Sequence, residues 1–307
     1  MVKVFIDGGA GTTGLVIRER LADYTDLQII TLPDELRKDE FARAEAMNSA
    51  DVVFLCLPDA AAKEAVGLVT NPDTVIIDTS TAHRTSDEWT YGFAEIAGQR
   101  EKIKKSKRIA NPGCHASGFI ALVTPLIEKG LMDKETVLFC FSLTGYTGGG
   151  KKMIAEYETD MPVLYKAPRQ YGLSQAHKHI PEMMKITGIT QKPCFCPIVA
   201  AFPRGMEVTV PITSKQIKGT LEQVKAAYGE YYKGSSVVKF VDGGDEGGFL
   251  SASALSGSDG MEISVFGNDD NMILVARFDN LGKGASGSAI QNMNIVLGID
   301  ETKGLNV

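Results

Sequence analysis

No run of apolar residues in this chain approaches the roughly 18–20 needed to cross a membrane, so a membrane partner is not expected. Positive charge is not in excess. The 32 Lys and Arg stand against 38 Asp and Glu for a formal charge of -6, which argues against a nucleic-acid surface. Cysteine is scarce and shows no pairing pattern: five, an odd number, at Cys56, Cys114, Cys140, Cys194 and Cys196, with no CxxC. That favours reduced thiols in a cytoplasmic setting over a disulfide framework. No basic stretch precedes a long apolar one in the opening MVKVFIDGG, so no secretory signal is expected. The single Trp89 reads as packing, not as a base-stacking platform. What remains is a 307-residue globular chain, one large domain or two, whose natural partner is a small molecule.

Glycine is abundant by contrast, at 32 residues. Residues 2–6 are a short branched and aromatic run, a buried strand, which breaks into Asp7-Gly8-Gly9-Ala10-Gly11-Thr12-Thr13-Gly14 before helical spacing begins at Leu15. Strand, glycine turn and helix in that order form a phosphate cradle. Gly8 permits the tight turn, Gly11 the approach of a pyrophosphate, Gly14 close helix packing, and the helix start at Thr12 and Thr13 offers free N–H groups. The spacing is GxxGxxG, not GxGxxG, but the continuation supports a dinucleotide site. Strands at 27–31, 51–57 and 75–78 alternate with helices at 40–47 and 60–69, the pattern of a parallel doubly wound sheet. After the second strand, Asp34 would suit the ribose hydroxyl of NAD, whereas Arg37 and Lys38 would suit the 2′-phosphate of NADP. These residues alone leave that choice open.

Four of the five cysteines lie within apolar runs. Cys114 differs: in RIANPGCHASGFIA a strand ends, Pro112-Gly113 turns, and Cys114 opens an apolar helix. A thiol there has its ionised form favoured by the helix dipole and by unpaired N–H groups. Its neighbour His115 points about 100° away around a helix, a poor position for a base. The block YGLSQAHKHIPEMM carries His177 and His179, which fall on one face of an extended chain and suit proton transfer; Glu182 follows and would orient an imidazole. No third ligand with metal spacing is nearby, so no metal is expected.

Residues 137–145 read as a strand running into a glycine-rich loop that ends at Lys151 and Lys152. Strands at 194–199, 207–212, 237–241, 261–266 and 272–278 with a helix near 217–232 suggest a mostly antiparallel sheet covered by helices on one face. Residues 243–248 form a mobile loop without chemistry. The stretch 284–299 has helical spacing and returns to pack on the first domain.

GGAGTTG at 8–14, DTSTAHR at 78–84, NPGCHASG at 111–118, YTGGGKK at 146–152, YGLSQAHKHIPEM at 171–183 and DNLGKGASGSAIQNMN at 279–294 together resemble the N-acetyl-gamma-glutamyl-phosphate reductases, in particular their shorter class. The resemblance spans nearly the whole chain and departs from the pattern at His115, where the family usually has an aromatic. It implies an α/β fold with a Rossmann-type parallel sheet plus an α+β catalytic domain, divided as residues 1–113 with 284–307 for NADP(H), and 114–283 for catalysis and dimerisation. It implies Cys114 as nucleophile and His177 or His179 as acid/base. Ser80 and Arg84 would face the substrate, and Ser142, Gly145, Gly148 and Gly149 would surround its phosphate. Asn280 and Gly284 would approach the nicotinamide, with Arg37 and Lys38 on the 2′-phosphate. The implied activity is NADPH-dependent reduction of N-acetyl-glutamyl 5-phosphate to its semialdehyde in arginine biosynthesis, through a Cys thioester, in a homodimer or homotetramer. The alternatives are an aspartate-semialdehyde dehydrogenase-type reductase and a non-catalytic dinucleotide sensor.

Overall fold

Alternating faces of VKVFID supply both sides of a sheet, and the run forms β1 (Val2–Asp7). The computed structural model describes all residues 1–307. After β1 come α1 (Thr12–Leu21), β2 (Leu27–Ile30), α2 (Glu40–Ser49), β3 (Val52–Leu55), α3 (Asp59–Leu68), β4 (Val75–Asp78), β5 (Thr90–Tyr91), α4 (Gln99–Lys105) and β6 (Arg108–Ala110). The strands make one sheet in the order β2-β1-β3-β4-β6-β5, with every pair parallel. Alternation explains the double winding. Val52 and Phe54 of β3 pack with Ile17, Leu21 and Ile103 on one face, while Val53 and Leu55 pack with Ala46, Met47 and Ala65 on the other. The strand order reverses between β1 and β3, the switch point where such sheets bind ligands beyond their carboxyl ends.

A second unit follows, with α5 (Cys114–Glu128), β7 (Phe139–Gly145), α6 (Gly150–Glu158), β8 (Arg169–Gln170), α7 (His179–Thr187), β9 (Cys194–Ala200), β10 (Met206–Thr213), α8 (Leu221–Tyr231), β11 (Val238–Phe240), β12 (Met261–Gly267) and β13 (Asn271–Phe278). Its sheet runs β11-β12-β13-β10-β7-β9-β8. It is mixed but mostly antiparallel: β10 pairs antiparallel with β13 and β7, as do β12 with β13 and β8 with β9, whereas β7–β9 and β11–β12 are parallel. The glycine-rich loop expected to end at Lys151 and Lys152 instead turns into α6, whose first turn holds both lysines. The helices α4, α6 and α7 escape the pattern reading because they are short and begin in glycine or histidine-rich polar segments.

The apolar α5 is buried over nearly its whole circumference. Pro125 inside it removes the N–H that would bond the Ala121 carbonyl, and the Tyr232 hydroxyl donates to that carbonyl instead at 2.7 Å. The opposite face of the sheet leaves Phe139, Phe141 and Ile273 exposed. The last helix, α9 (Gly287–Leu297), belongs with the first unit, so that residues 1–112 and 285–305 form one unit and 113–284 with 306–307 the other. A wide π turn over Gly282–Ser286 precedes it. Its buried amides tie it to the rest of the unit: Asn292 donates to the Gly92 carbonyl and Asn294 to the Lys303 carbonyl. No helix is long and apolar enough to cross a membrane.

Gly118 lets α5 lie against the sheet, since a Cβ there would stand 2.5 Å from Val208 Cγ2 and 2.9 Å from Phe278 Cε1. Alanine normally favours a helix over glycine by about 1 kcal/mol, but overpacking opposes it with about 1–3 kcal/mol. Gly118→Ala is therefore expected to destabilise, read as a lower urea midpoint; an unchanged or higher midpoint contradicts the tight contact.

Candidate active site

The expected residues divide between the units. Gly8, Gly11, Thr12, Thr13, Gly14, Arg37, Lys38, Ser80 and Arg84 fall in the first; Cys114, Ser142, Gly145, Gly148, Gly149, His177, His179, Asn280 and Gly284 in the second.

In the first unit the glycine turn has the shape its sequence requires. Gly8 has φ +80°, and a Cβ there would lie 2.3 Å from the Cys56 carbonyl oxygen; one on Gly14 would lie 2.8 Å from the Gly8 oxygen. Gly11 caps α1, whose first turn holds no acidic residue, and the Thr12 hydroxyl is buried without a hydrogen-bond partner. Asp7, at the end of β1, is neutralised by Arg43 at 2.7 Å. Beside the turn lies a cavity of about 320 Å³ walled by Gly8, Gly9, Ile30 and Leu32 and by three cations, Arg18, Arg37 and Lys38. Asp34 does not line it. Its carboxylate is exposed and pairs with Arg37 at 2.6 Å. An orphaned hydroxyl, a cradle closed to any Cβ and a cationic wall without a free carboxylate fit a dinucleotide with a 2′-phosphate. Arg18 belongs to no motif of the sequence. It lies one helical turn beyond Gly14, and only the fold brings it beside residues 37 and 38.

The DTSTAHR segment is a knot around one carboxylate. Asp78, fully buried, accepts from the Ser80 N–H at 2.9 Å and hydroxyl at 2.7 Å, and from His83 Nδ1 at 2.7 Å. Arg84 is buried and donates through Nε to the Asn111 carbonyl and through Nη2 to the Thr79 carbonyl, both at 2.9 Å. Asn111 in turn donates to the Ala285 carbonyl at 2.9 Å. Ser80 and Arg84 thereby hold the backbone that leads into NPGC.

In the second unit Cys114 is the first residue of α5, behind the Gly113 cap. The Gly113 N–H donates to Glu182 Oε1 at 2.8 Å, a carboxylate 1% exposed on α7. The expectation that His177 and His179 share a face of an extended chain is corrected. Lys178 is helical and His179 begins α7, so a helix start and not a strand brings the rings together, with centroids 4.8 Å apart. His177 Nδ1 accepts the His179 N–H at 3.2 Å, which leaves Nε2 to carry the ring's proton in the neutral form. Burial and the charge of Lys178 push the His177 pKa down.

His115 is the most constrained of the histidines. Its Nδ1 lies 2.6 Å from Ser142 Oγ and its Nε2 2.6 Å from the Tyr171 hydroxyl. Burial, and then the charge of His177, push its pKa down to about 3. It is a neutral bridge, in keeping with the expectation that it is no base for Cys114. The Tyr171 phenol is pushed up by burial and by the negative charge of Cys114. Of the other thiols, Cys56 is pushed up to about 12 and Cys140 also upward, both mainly by burial.

The loops around Cys114 are locked by polar side chains. Ser142 is fully buried against His115. A Cβ on Gly145 would stand 2.5 Å from the Pro203 oxygen, one on Gly149 2.5 Å from Met153 Sδ, and one on Gly148 3.4 Å from Asn280 Nδ2. Asn280 accepts from the Gly205 N–H and donates to the Thr147 hydroxyl, both at 2.9 Å. Gly284 must be glycine, because a Cβ there would lie 2.9 Å from Cys114 Cβ. Arg204 was missed by the pattern reading, having no motif of its own. Its Nε lies 2.8 Å from the buried Asp279 carboxylate and its Nη2 has no hydrogen-bond partner.

A nucleotide-type sheet followed by a mixed sheet carrying a thiol at a helix start defines a class of enzyme fold, and the comparisons agree. Residues 19–106 match the family model described as semialdehyde dehydrogenase, NAD binding domain, and residues 114–280 the one described as semialdehyde dehydrogenase, dimerisation domain. Aspartate semialdehyde dehydrogenase II of Vibrio cholerae has a similar fold, with TM-score 0.73 at 14% identity over 97% of this chain and 98% of that one. The N-acetyl-gamma-glutamyl-phosphate reductases of Brucella ovis and Brucella canis are each 46% identical over 96% of this chain and 99% of their own. The chain belongs to the N-acetyl-gamma-glutamyl-phosphate reductase family of semialdehyde dehydrogenases.

The buried neutral His115 has a consequence for stability. Its folded pKa, about 3, lies below the usual value of 6.5, so the unfolded chain binds the extra proton between these limits. The contribution is complete above the upper limit and is lost as pH falls towards the lower. His115→Phe is expected to lower the urea midpoint at neutral pH but to flatten its fall on acidification. An equal slope in both proteins contradicts the assignment.

Proposed function

We propose that the chain reduces N-acetyl-glutamyl 5-phosphate with NADPH to N-acetyl-glutamate 5-semialdehyde and phosphate, through a thioester on Cys114. The observation that carries it is Cys114 at the first position of α5, on an end of the helix tied through Glu182 to the helix that bears His179. The Cys114 thiolate attacks the acyl carbon; the new S–C bond displaces inorganic phosphate. Bound NADPH supplies the hydride that takes the thioester to the aldehyde level. His177 then acts through Nε2: its neutral, proton-bearing form donates to the substrate oxygen, and it takes the proton back as the thiohemiacetal collapses and frees the thiolate. His179 and His115 hold that ring by edge-on packing, with centroids 4.8 Å and 5.7 Å from it. Arg204, its guanidinium anchored on Asp279, serves the phosphate or the carboxylate of the substrate next to Gly145, Gly148 and Gly149. Asn280 and Gly284 approach the nicotinamide, and Ser80 and Arg84 bind the substrate.

On the cofactor side, Gly8, Gly11, Thr12, Thr13 and Gly14 hold the pyrophosphate, and Arg18, Arg37 and Lys38 the 2′-phosphate. The subunits pair as a homodimer or a homotetramer through the open sheet face of Phe139, Phe141 and Ile273, and the enzyme works in the cytoplasm.

The test is an assay with N-acetyl-glutamate semialdehyde, phosphate and NADP+, read as NADPH absorbance, beside the same assay with aspartate semialdehyde. Turnover with the former alone is expected; preference for the latter points to the aspartate-type reductase. Cys114→Ala should abolish turnover and leave the NADPH Kd within about twofold, since the thiol makes no part of the nucleotide cradle; full activity removes the thioester. Arg18→Ala should raise the NADPH Kd by about tenfold or more, the worth of a charge-assisted bond, and leave the NADH Kd unchanged. Equal losses for both nucleotides remove Arg18 from 2′-phosphate recognition.

A further inference from the structure

One imidazole in the first unit has no role in the chemistry above. His83 stacks on Trp89 with ring centroids 4.0 Å apart and planes at 13°, and its side chain is 12% exposed. Its Nδ1 is 2.7 Å from Asp78 Oδ2, a carboxylate with no exposure. An acceptor at Nδ1 keeps the proton there, so the neutral ring presents the Nε2 lone pair, for which the structure offers no protein donor. Packing on Trp89 alone does not account for this arrangement. Any flat ring would stack, and a buried carboxylate is costly unless its partners hold it in place.

The topology says which half of a dinucleotide lies nearest to His83. Asp78 ends β4, and the cationic cavity lies on the β1–β2 side of the switch point. β4 is two strands from β1 in the other direction, about 10 Å at the ~4.8 Å spacing of neighbouring strands. A dinucleotide whose pyrophosphate occupies the glycine turn extends both ways along the carboxyl edge, adenosine towards the cavity and nicotinamide riboside towards β4. The riboside carries the donors a neutral Nε2 lacks: ribose hydroxyls and a carboxamide N–H.

We propose that His83, fixed by Asp78, accepts a hydrogen bond through Nε2 from the nicotinamide riboside half of NADP(H). The inference rests on the dinucleotide reading of the glycine turn and cavity. It makes His83 a cofactor-binding residue and Asp78 its positioning residue, and it gives the histidine of the DTSTAHR segment a task separate from the acid/base work of His177.

Binding of NADP+ and of 2′,5′-ADP, which keeps only the adenosine half, tests it by calorimetry on the wild type, His83→Phe and His83→Gln. Phe preserves the stack and removes both nitrogens; Gln returns an acceptor at the reach of Nε2. His83→Phe should raise the NADP+ Kd about five- to tenfold, the usual worth of one neutral hydrogen bond, leave 2′,5′-ADP binding unchanged, and be rescued by Gln. Repeating the comparison with the 3-acetylpyridine analogue of NADP+, which lacks the carboxamide N–H, identifies the donor. A loss that persists assigns the ribose hydroxyl and one that vanishes assigns the carboxamide. An unchanged NADP+ Kd in His83→Phe overturns the proposal, and so does a parallel loss for 2′,5′-ADP, which marks a structural role. A wild type that binds neither ligand contradicts the dinucleotide reading itself, and this inference with it.

Discussion

The hydrogen bond from the Gly113 N–H to the buried Glu182 carboxylate is the constraint on which the catalytic unit turns. It joins the end of α5 that begins with Cys114 to α7, the helix that begins with His179. Helix starts carry unpaired N–H groups and the positive end of the dipole, so a buried carboxylate there is stabilised electrostatically, and its bond to the backbone is worth about 1.5–3 kcal/mol. The Gly113–Glu182 contact adds a directed bond to the packing of α5 against α7, and so ties the helix start at Cys114 to the one at His179.

The same device recurs. Asp78, Asn111 and Asp279 are each buried to 1% exposure or less, and each gathers backbone or side-chain groups of a loop that carries expected site residues. Asp78 collects Ser80 and His83, and Asn111 ties the carbonyl of Ala285. Asp279 accepts the N–H groups of Gly257, Leu281 and Gly282 at 2.6, 2.7 and 2.9 Å and holds Arg204. Loops are mobile by default, and buried carboxylates and amides that gather several partners in this way give them rigidity. Charged and amide residues of these segments therefore divide into those proposed to present chemistry and those that hold the loops still.

That division explains what was legible beforehand. The parallel sheet, the glycine turn and the singular position of Cys114 were readable because each depends on neighbours in sequence: alternation in residues 52–55, the Cβ-free positions Gly8 and Gly14, a Pro-Gly turn before a helix. Arg84 and Asn280 are legible only as motif members and Ser142 only through the resemblance, because partners of each lie elsewhere in the chain. Ser142 meets His115, and Asn280 meets Thr147 and Gly205. The spacing of His177 and His179 alone suits one face of an extended chain; Pro181 in the first turn of a helix, where no N–H is needed, is the local sign of the helix start. Arg18, His83 and Arg204 carry no local signal. They matter through a cavity wall and the buried carboxylates of Asp78 and Asp279, which only the folded chain brings to them.

The central claim is that Cys114 is the one activated thiol of the five. Brief alkylation with iodoacetamide over a pH series, with each cysteine followed by peptide mass, tests it directly. Cys114 should be modified first, already at pH 6–7, while the buried Cys140 and the partly buried Cys56, whose thiol is pushed up to about 12, remain untouched in the folded protein. If Cys114 reacts no faster than the partly exposed Cys194 and Cys196, the helix start does not activate it, and the thioester route is contradicted.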